Sequence, residues 1–363
     1  MSTSANPVIT AWSAISPYGI GRQAFEEGVG SGRVALTPCD RKTWGTRDEV
    51  VGLVPDFDLR AVLGKKGTKA MSRVTGLALA TTGDLLKEIP QDHRAGLVLG
   101  TTAGSLQTTM EFTRTSLAAQ FPHHVDAAVI PYTVMNASAA RCAIWYGLKG
   151  PNSTIAGGRP TALHALGYAR RLIRAGRAET VLCGAAEEYS RARSWFAYHD
   201  RAGSRPVLGE GCAMFALQAG PGSEGEALAE LVAVDTRISP TPDRTAETVE
   251  AAVRRVLAAA PDGAEVWTAC PSGADDSPGR QELSVLADLF GSHVLTHPLP
   301  SVIGDAGSAS AAFQLAQVLS RARRDPSAAG RLAVITSVDV SGPVAAVLLR
   351  LSDRRGNEET SKQ

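Results

Sequence analysis

The sequence predicts an α/β fold, because short apolar runs rich in β-branched residues alternate with longer Ala-, Leu- and Arg-rich stretches of helical periodicity. That alternation is typical of parallel strands joined by crossover helices. With 363 residues, of which 44% are apolar and only 5% aromatic, the chain is long enough for two halves of similar size or one large α/β unit.

The predicted elements follow in chain order. Candidate strands are Val8–Thr10, Ala95–Leu99, Thr180–Gly184, Ala213–Leu217, Leu228–Val234, Val266–Ala269, Leu332–Ser337 and Val344–Leu351. Candidate helices are Ala70–Leu86, Ala162–Ala175, Ala246–Ala260, Gln281–Phe290 and Ala306–Arg321. The last helix is rich in Ala, Ser and Leu, which predicts a helix packed between sheets, because small side chains permit close approach.

A break in composition at Gln218–Glu226, which reads QAGPGSEGE, predicts the boundary between two halves. We therefore expect an amino-terminal half over 1–220, a carboxyl-terminal half over 221–352 and a frayed polar tail over 353–363. Each half has the order strand, helix, strand, but no repeat is visible at the level of residues. Any internal duplication must therefore lie in the fold and not in the amino-acid sequence.

Charge and cysteine content exclude several classes of protein. Lys and Arg number 37 and Asp and Glu 36, so the net charge is close to zero. We therefore expect no positive electrostatic field that would hold nucleic acid or an anionic membrane surface. The five cysteines are far apart, without a C-x-x-C pair, which argues against a zinc site or a secreted disulfide framework. The start, MSTSANPVITAW, lacks the features of a signal peptide, and no apolar stretch is long enough to span a membrane. We expect a cytoplasmic protein with neither metal nor cofactor.

Residues 150–166 read GPNSTIAGGRPTALHAL and are followed by GYARRLIRAGRAETVLCGAAEE. This region resembles the nucleophile region of β-ketoacyl synthases, in which G-P-x-x-T-V-S-T-A-C-S-S-G-L-H-A-I precedes a helix and a strand ending in G-G-x-E. Further segments match the family in the same order: VITAWSAISPYGIG, KKGTKAMSRVTGLALATTGDLL, GLVLGTTAG, PYTVMNASAARCAIWYGLKGP and RPVLGEGCAMFALQ. The resemblance implies a thiolase-like, five-layered α-β-α-β-α fold of two similar halves.

The nucleophile of that family is a Cys thiolate at the amino end of a helix, where the helix dipole and backbone N–H groups stabilise negative charge. An ungapped alignment over residues 150–165 places Arg159 at this position. A guanidinium is always protonated and cannot attack a thioester. The chain therefore lacks the family's nucleophile.

The two catalytic histidines of the family are also replaced. The turn that corresponds to H-G-T-G-T reads ACPSGADD, with Cys270 in place of the histidine. The turn that corresponds to K-S-x-x-G-H has Pro300 for the lysine and Asp305 for the histidine. An ionised Asp305 would repel a malonyl carboxylate instead of assisting its loss.

The G-F-G-G-T-N turn near the carboxyl end of the family reads SVDVSGPVAA here, and only Gly342 of its residues is retained. In that turn, a Phe of the family gates the acyl tunnel. Since the nucleophile, both histidines, the lysine and this Phe are all changed here, the resemblance implies that the chain has no catalytic residue for condensation. Because the family's Cys and second His meet in one cavity, Arg159 and Asp305 are predicted to form a salt bridge there. A lone buried Arg at a helix amino end would face desolvation and an unfavourable dipole.

Other residues with possible chemistry have simpler explanations. Cys270 follows an apolar strand and has no neighbouring His, so burial is favoured over a role as a relocated nucleophile. His164 is interpreted as a satisfied packing histidine, and Glu187, Glu188 and the 209–211 turn as structural. The basic stretch of Arg191, Arg193, Arg201 and Arg205 is interpreted as a solvated loop, with docking of an acidic carrier protein as the alternative.

Degenerate ketosynthases of this kind resemble the chain length factors, or ketosynthase β-subunits, of type II polyketide synthases. The resemblance implies a heterodimer with an active ketosynthase α-subunit, an acyl carrier protein as second partner, and side chains that limit chain length by their volume. Two alternatives stay open: changed acyl-transfer or cyclisation chemistry that uses Cys270, Asp305 or Asp339, and a structural homodimer. The interface segment Pro131–Tyr146 supplies the tunnel candidates Tyr132, Val134, Met135, Asn136 and Trp145.

Overall fold

The computed structural model describes residues 5–200, 205–220 and 227–353. In these ranges a mixed sheet of ten strands is accompanied by a separate two-stranded sheet. The strands are β1 (Val8–Ser16), β2 (Gly19–Ile20), β3 (Thr37–Pro38), β4 (Val50–Val51), β5 (Gly96–Gly100), β6 (Asn152–Ile155), β7 (Thr180–Glu187), β8 (Gly211–Gln218), β9 (Ala229–Ile238), β10 (Val266–Cys270), β11 (Leu332–Val338) and β12 (Pro343–Leu351).

Helices connect most of these strands. They are α1 (Arg22–Ser31), α2 (Arg41–Trp44), α3 (Leu59–Leu63), α4 (Arg73–Leu85), α5 (Leu106–Ala118), α6 (Ala137–Tyr146), α7 (Thr161–Arg174), α8 (Arg191–His199), α9 (Thr245–Leu257), α10 (Ser277–Phe290), α11 (Pro300–Ile303) and α12 (Ser310–Arg324). Short 3₁₀ turns occur at Ile130–Tyr132, Pro242–Arg244, Ser292–Val294, Gly307–Ala309 and Pro326–Ala328.

The large sheet consists of two halves with the same connectivity. The amino-terminal half has the order β6-β5-β7-β8-β1 and the carboxyl-terminal half the order β10-β11-β12-β9. In both, a parallel pair, β5 with β7 or β10 with β11, is followed by two antiparallel pairs. The counterpart of β6 is a single parallel bridge between Ala269 and Leu295. The predicted duplication of fold, without a repeat of residues, is confirmed.

Five layers result from the way the strands alternate their side chains. On one face of the amino-terminal half, Val98 and Ala185 join Leu166 of α7, Ala312 of α12 and Val347 of β12 in one buried cluster. Both α7 and α12 therefore lie between the two halves of the sheet, as predicted for the Ala-rich last helix. The opposite face of the first half packs against α4, and α9 and α10 cover the second half.

The predicted strands and helices are observed, most with ends shifted by a few residues or extended. The longer elements that were not predicted as regular structure are α1, β6, α5, α6 and α8, and the short β2, β3, β4, α2, α3 and α11 were not predicted either. The boundary at residue 220 stays a prediction, because residues 221–226 lie outside the described ranges. So does the frayed tail, of which only Asp353 is described. In the described part of the chain, no helix combines the length and the apolar character that crossing a membrane requires.

Candidate functional site

The turn between β6 and α7 places Arg159 at the amino end of α7. Glycine is needed at two positions of this turn, where a Cβ would collide with a neighbour. A Cβ on Gly157 would lie 2.7 Å from Nδ1 of His164, and one on Gly158 would lie 2.3 Å from Oδ2 of Asp339. Gly158 also has a φ of +66°, which few other residues adopt. The turn is therefore packed tightly against the carboxyl-terminal half.

Arg159 is bound by carboxylates from three separate segments. Its Nε donates to Oδ2 of Asp305 at 2.9 Å, and its Nη1 donates to Oδ2 of Asp276 at 2.7 Å. Its backbone N–H donates to Oδ2 of Asp339 at 3.0 Å. The predicted salt bridge between Arg159 and Asp305 is thus confirmed. These four residues are called the Arg159 pocket below, and their bonds join the two halves of the molecule.

Each carboxylate is held in place by its own segment. Asp276 is the amino-terminal cap of α10, because its Oδ1 accepts a hydrogen bond from the backbone of Gly279 at 2.9 Å. Its second oxygen is left for the guanidinium. Asp305 follows α11, and its Oδ1 accepts from the backbone of Gly307 at 2.7 Å and from Oγ of Ser310 at 3.3 Å. Both carboxylates that bind the Arg159 guanidinium are therefore held in position by their own segments.

The side chain of Arg159 is only 12% exposed, so its charge depends on these partners. Burial by itself would lower the pKa of the guanidinium, but the three surrounding carboxylates outweigh burial and raise the pKa above its usual value. Burial likewise favours the neutral form of Asp305, yet the guanidinium groups of Arg159 and Arg193 lower the pKa of that carboxyl. The cation and Asp305 therefore keep each other charged.

Cys270, which the sequence alignment predicts at the position of the first family histidine, is 1% exposed. Burial raises the pKa of its thiol to about 11. Its Sγ lies 3.4 Å from Oε1 of Gln317 and 3.9 Å from Nε2 of Gln314, both on α12. A thiol in this environment stays protonated at neutral pH and does not act as a nucleophile.

A buried acid that the sequence did not reveal lies behind the pocket. Glu282 of α10 accepts hydrogen bonds from the backbone and the Oγ of Ser272, and from Oγ1 of Thr336 at 2.6 Å. Burial raises the pKa of its carboxyl to about 7. The residue lies six positions after the Asp276 cap, and its place on the buried face of α10 distinguishes it from a surface glutamate.

The acidic residues after β7 are structural, as predicted. Glu187 accepts hydrogen bonds from Thr102 and Ser308. Glu188 accepts from the backbone of Val74 at 3.0 Å and from Oγ of Ser105 at 2.9 Å, and burial raises the pKa of its carboxyl to about 7.

The 209–211 turn has an equally structural role. Glu210 receives both Nε and Nη2 of Arg73, at 2.7 Å and 2.6 Å, in a bidentate ion pair. It also accepts from the backbone of Val54 and of Tyr189.

The first part of the basic stretch, with Arg191 and Arg193, lies on the helix α8, so its prediction as a loop was wrong there. Ser190 caps α8 by accepting a hydrogen bond from the backbone of Arg193, and stacked aromatic rings support the helix. The Arg193 guanidinium donates to the carbonyls of Glu188, Gly209 and Asp305, so it is not available for docking. Arg201 lies outside the described residues.

His164 is not the satisfied histidine that was predicted. It lies on α7, and burial lowers the pKa of its imidazole. Its Nε2 is buried without a hydrogen-bond partner among the described residues. Gly157 packs against the other side of the ring. Within the same described ranges, no group of His, Cys, Asp or Glu side chains is arranged to hold a metal ion.

The tunnel candidates divide into two groups. Tyr132 and Trp145 are half-buried and pack against the core beneath α4 and α6. Val134 is 48% exposed and Met135 44% exposed, and Asn136 is exposed as well. The second group is therefore free to contact another molecule, whereas a role in the core of this chain is excluded for its members.

Several other large apolar side chains of residues 106–146 are exposed too. We call the set the apolar surface, and it consists of Met110, Leu117, Phe121, Ile130, Val134, Met135 and Ile144. It lies on α5, the following turns and α6. A hydrogen bond from Oγ1 of Thr109 to the carbonyl of Thr133 ties α5 to the turns.

Strand β6 lies at the edge of the large sheet, beside α6. It pairs with β5 only, so its other edge has no partner strand in the described parts of the chain. Asn152 of β6 donates from Nδ2 to the carbonyl of Ala139 of α6 at 3.0 Å, which fixes the strand next to that helix. The free strand edge thus lies beside α6, which carries Ile144 of the apolar surface.

Comparisons with known proteins agree with this architecture. The family model "Beta-ketoacyl synthase, N-terminal domain" matches residues 6–234. A 3-oxoacyl-[acyl-carrier-protein] synthase 2 from Vibrio harveyi is 32% identical over 193 residues, which cover 50% of this chain and 46% of that relative. The chain thus matches about half the length of the curated relatives.

Solved structures match over nearly the whole chain. The ishigamide ketosynthase/chain length factor is 41% identical, with a TM-score of 0.91, and the match covers 96% of this chain and 99% of that one. A β-ketoacyl synthase from Burkholderia phymatum, 19% identical with a TM-score of 0.81, covers 96% and 99% and shares the fold. The thiolase fold is established by these matches. The chain belongs to the β-ketoacyl synthase family.

Proposed function

We propose that this chain is a ketosynthase-like subunit that does not form carbon–carbon bonds itself and that pairs with an active ketosynthase as its chain length factor. The observation that carries the proposal is Arg159, which occupies the position of the nucleophile and is held there by Asp276 and Asp305. In this family the same position needs an electron pair that can attack a thioester. A permanently protonated guanidinium has none to offer.

No other residue in or beside the Arg159 pocket restores the condensation chemistry. Cys270 is a buried thiol whose pKa is raised to about 11, so it does not supply a thiolate at neutral pH. Asp305 already shares its oxygens with Arg159, Gly307 and Ser310. Asp339 accepts from the backbone of Arg159, and its other oxygen binds Ser341. This arrangement argues against relocated acyl-transfer or cyclisation chemistry.

Pairing is supported by the surface that the isolated chain leaves open. The free edge of β6 lies beside α6, which carries Ile144 of the apolar surface. Exposed apolar patches and free strand edges both favour association with another molecule. An exposed strand edge also offers unpaired backbone N–H and C=O groups to a partner strand. The 41% identity to the ishigamide ketosynthase/chain length factor agrees with a partner of that kind.

In such a pair the active subunit performs the condensation and this chain bounds the space for the growing acyl group. Val134, Met135 and Asn136 are exposed at the proposed interface, so their volume limits chain length there. The acyl group arrives on an acyl carrier protein, which is the second proposed partner. A homodimer would cover the same surface without making any product, and that difference gives the test.

The test is co-expression with an intact Cys-His-His ketosynthase from the organism that makes this chain. The two polypeptides should co-purify in equal amounts and elongate malonyl units on an acyl carrier protein, whereas this chain alone should yield no β-keto product. A cysteine-to-alanine variant of the ketosynthase nucleophile is the matched control, and it should abolish activity without affecting pairing. Product formed by this chain alone, or a stable homodimer that ignores the ketosynthase, would refute the proposal.

A further inference from the structure

A second cavity, of about 560 Å³, opens beside β6 and away from the Arg159 pocket. Helix α7 and strand β9 form its walls, and Ile155 at the end of β6 forms its rim. Its polar lining comes from His164, Arg170, Arg171, Thr236 and Arg237. We call it the arginine cavity.

Two nitrogen atoms in its walls are buried without a hydrogen-bond partner among the described residues. They are Nε2 of His164 and Nε of Arg170. Buried polar atoms are rarely left unpaired in folded proteins, because each costs the free energy of its lost hydration. Two such atoms beside one cavity show that the described residues leave polar groups of its walls unsatisfied.

The charge of the cavity indicates the chemistry of that group. Arg170 donates from Nη2 only to neutral oxygens, the carbonyl of Val232 at 3.0 Å and Oδ1 of Asn6 at 3.2 Å. Arg171 lies over the ring of Tyr168, with its guanidinium carbon 5.2 Å from the ring centroid. Neither arginine has a carboxylate partner within the described ranges.

Arg237 is already neutralised, because its Nε lies 2.5 Å from Oδ2 of Asp235. The remaining cationic lining therefore comes from Arg170 and Arg171. An anion that accepts several N–H bonds at once, such as a carboxylate, matches such a site.

We propose that the arginine cavity receives a carboxylate side chain of the partner ketosynthase, carried by the segment that lies along β6. This inference rests on the proposed function, since it needs that subunit as the partner. Ile155 belongs both to the unpaired strand and to the cavity, so a chain that runs along β6 passes its mouth. The carboxylate pairs with the guanidinium groups of Arg170 and Arg171 and neutralises them.

Charge reversal tests the proposal through affinity. Arg171→Glu changes an exposed arginine of the cavity, and Arg177→Glu makes the same change at an exposed position just after α7 that does not line it. Binding of each purified variant to the ketosynthase is measured at low and high salt. Arg171→Glu should weaken binding by about tenfold or more and reduce its salt dependence, whereas Arg177→Glu should stay within about twofold of the wild type.

Zero-length cross-linking identifies the partner group. In the complex, Arg171→Lys treated with a carbodiimide should give an amide bond to an Asp or Glu of the ketosynthase, located by mass spectrometry, and Arg177→Lys should not. Unchanged affinity and salt dependence for Arg171→Glu, or no such cross-link in a complex that forms, would overturn this inference alone. Failure of the wild-type chain to bind the ketosynthase would overturn the proposed function with it.

Discussion

The Arg159 pocket and the apolar surface differ in how far their side chains are buried and paired within the described part of the chain. In the pocket, an arginine and its carboxylates bind one another and are almost fully buried. On the apolar surface, the side chains of Val134, Met135 and Ile144 are 44–73% exposed. The region where the family has its chemistry is closed by internal ion pairs, while the unsatisfied groups lie at the proposed interface. The difference agrees with the proposed role as a partner subunit.

The two regions should also respond differently to substitution. A buried ion pair is costly to break, because the remaining charge has neither water nor a partner. An exposed apolar side chain contributes little to the stability of the isolated chain, but it contributes strongly to binding when it lies at the centre of an interface. Stability and pairing can therefore be changed separately.

The largest effect is expected from Arg159→Ala, which leaves Asp276 and Asp305 buried and uncompensated. Free energy of unfolding should fall by about 3–5 kcal/mol, measured by urea denaturation at pH 7. Arg177→Ala, at an exposed position, should change it by about 0.5 kcal/mol or less. Adding Asp276→Asn and Asp305→Asn to Arg159→Met should recover most of the loss. If Arg159→Ala lowers the free energy of unfolding by less than about 1 kcal/mol, Asp276 and Asp305 can stay in the pocket without the guanidinium at little cost.

The next effect concerns pH, through the buried acids Glu282 and Glu188. Each has a folded pKa of about 7 against an ordinary value of 4.5. The folded chain therefore keeps protons that the unfolded chain has lost, and stability decreases as pH rises from about 4.5 to 7. Each group should contribute roughly 3 kcal/mol of this decrease.

The measurement compares urea denaturation of variants between pH 5 and pH 8. Glu282→Gln should remove about half of the pH-dependent decrease, Glu188→Gln a similar part, and the double variant most of it. Glu265→Gln, at a surface ion pair with Arg331, is the matched control and should leave the pH profile unchanged. A Glu282→Gln profile parallel to the wild type would mean that this carboxyl is ionised in the folded protein.

The apolar surface should respond to Ile144→Glu, since this side chain is 73% exposed on α6. The isolated variant should unfold within about 0.5 kcal/mol of the wild type. Its affinity for the ketosynthase should fall by roughly 10–100-fold, measured by analytical ultracentrifugation, because a charge would be desolvated at the interface. Leu283→Glu on α10, also exposed but outside the apolar surface, should bind normally. Equal behaviour of the two variants would place the interface elsewhere.

Sequence patterns predicted the fold because strands and helices buried in two half-sheets have strong periodicity. They did not reveal β6, whose short NSTI run is polar on average, or α8, whose aromatic and arginine residues show no apolar stripe. The stacking of Trp195 with His199 that supports α8 becomes visible only in three dimensions.

The site was predicted in part. Aligned motifs placed Arg159 opposite Asp305, because both replace residues that meet in the family fold. Asp276 was missed, since as a helix cap it has an ordinary role that hides its second one. Glu282 was missed because a single glutamate on a helix gives no sign of burial in one sequence. Both roles depend on contacts between segments that are distant in the sequence, and local sequence patterns do not reveal such contacts.

The smallest expected effect concerns product size. Met135 is 44% exposed at the proposed interface, so a bulkier side chain there should shorten the space for the acyl chain. In the reconstituted pair, Met135→Trp should shift products toward fewer extender units and Met135→Ala toward more, as measured by liquid chromatography and mass spectrometry. Met110→Trp, on α5 of the same apolar surface, controls for a general effect of a large ring. If both tryptophan variants shorten the product equally, Met135 affects docking of the subunits and not the length of the tunnel, since only a side chain in the path of the acyl group acts through its volume.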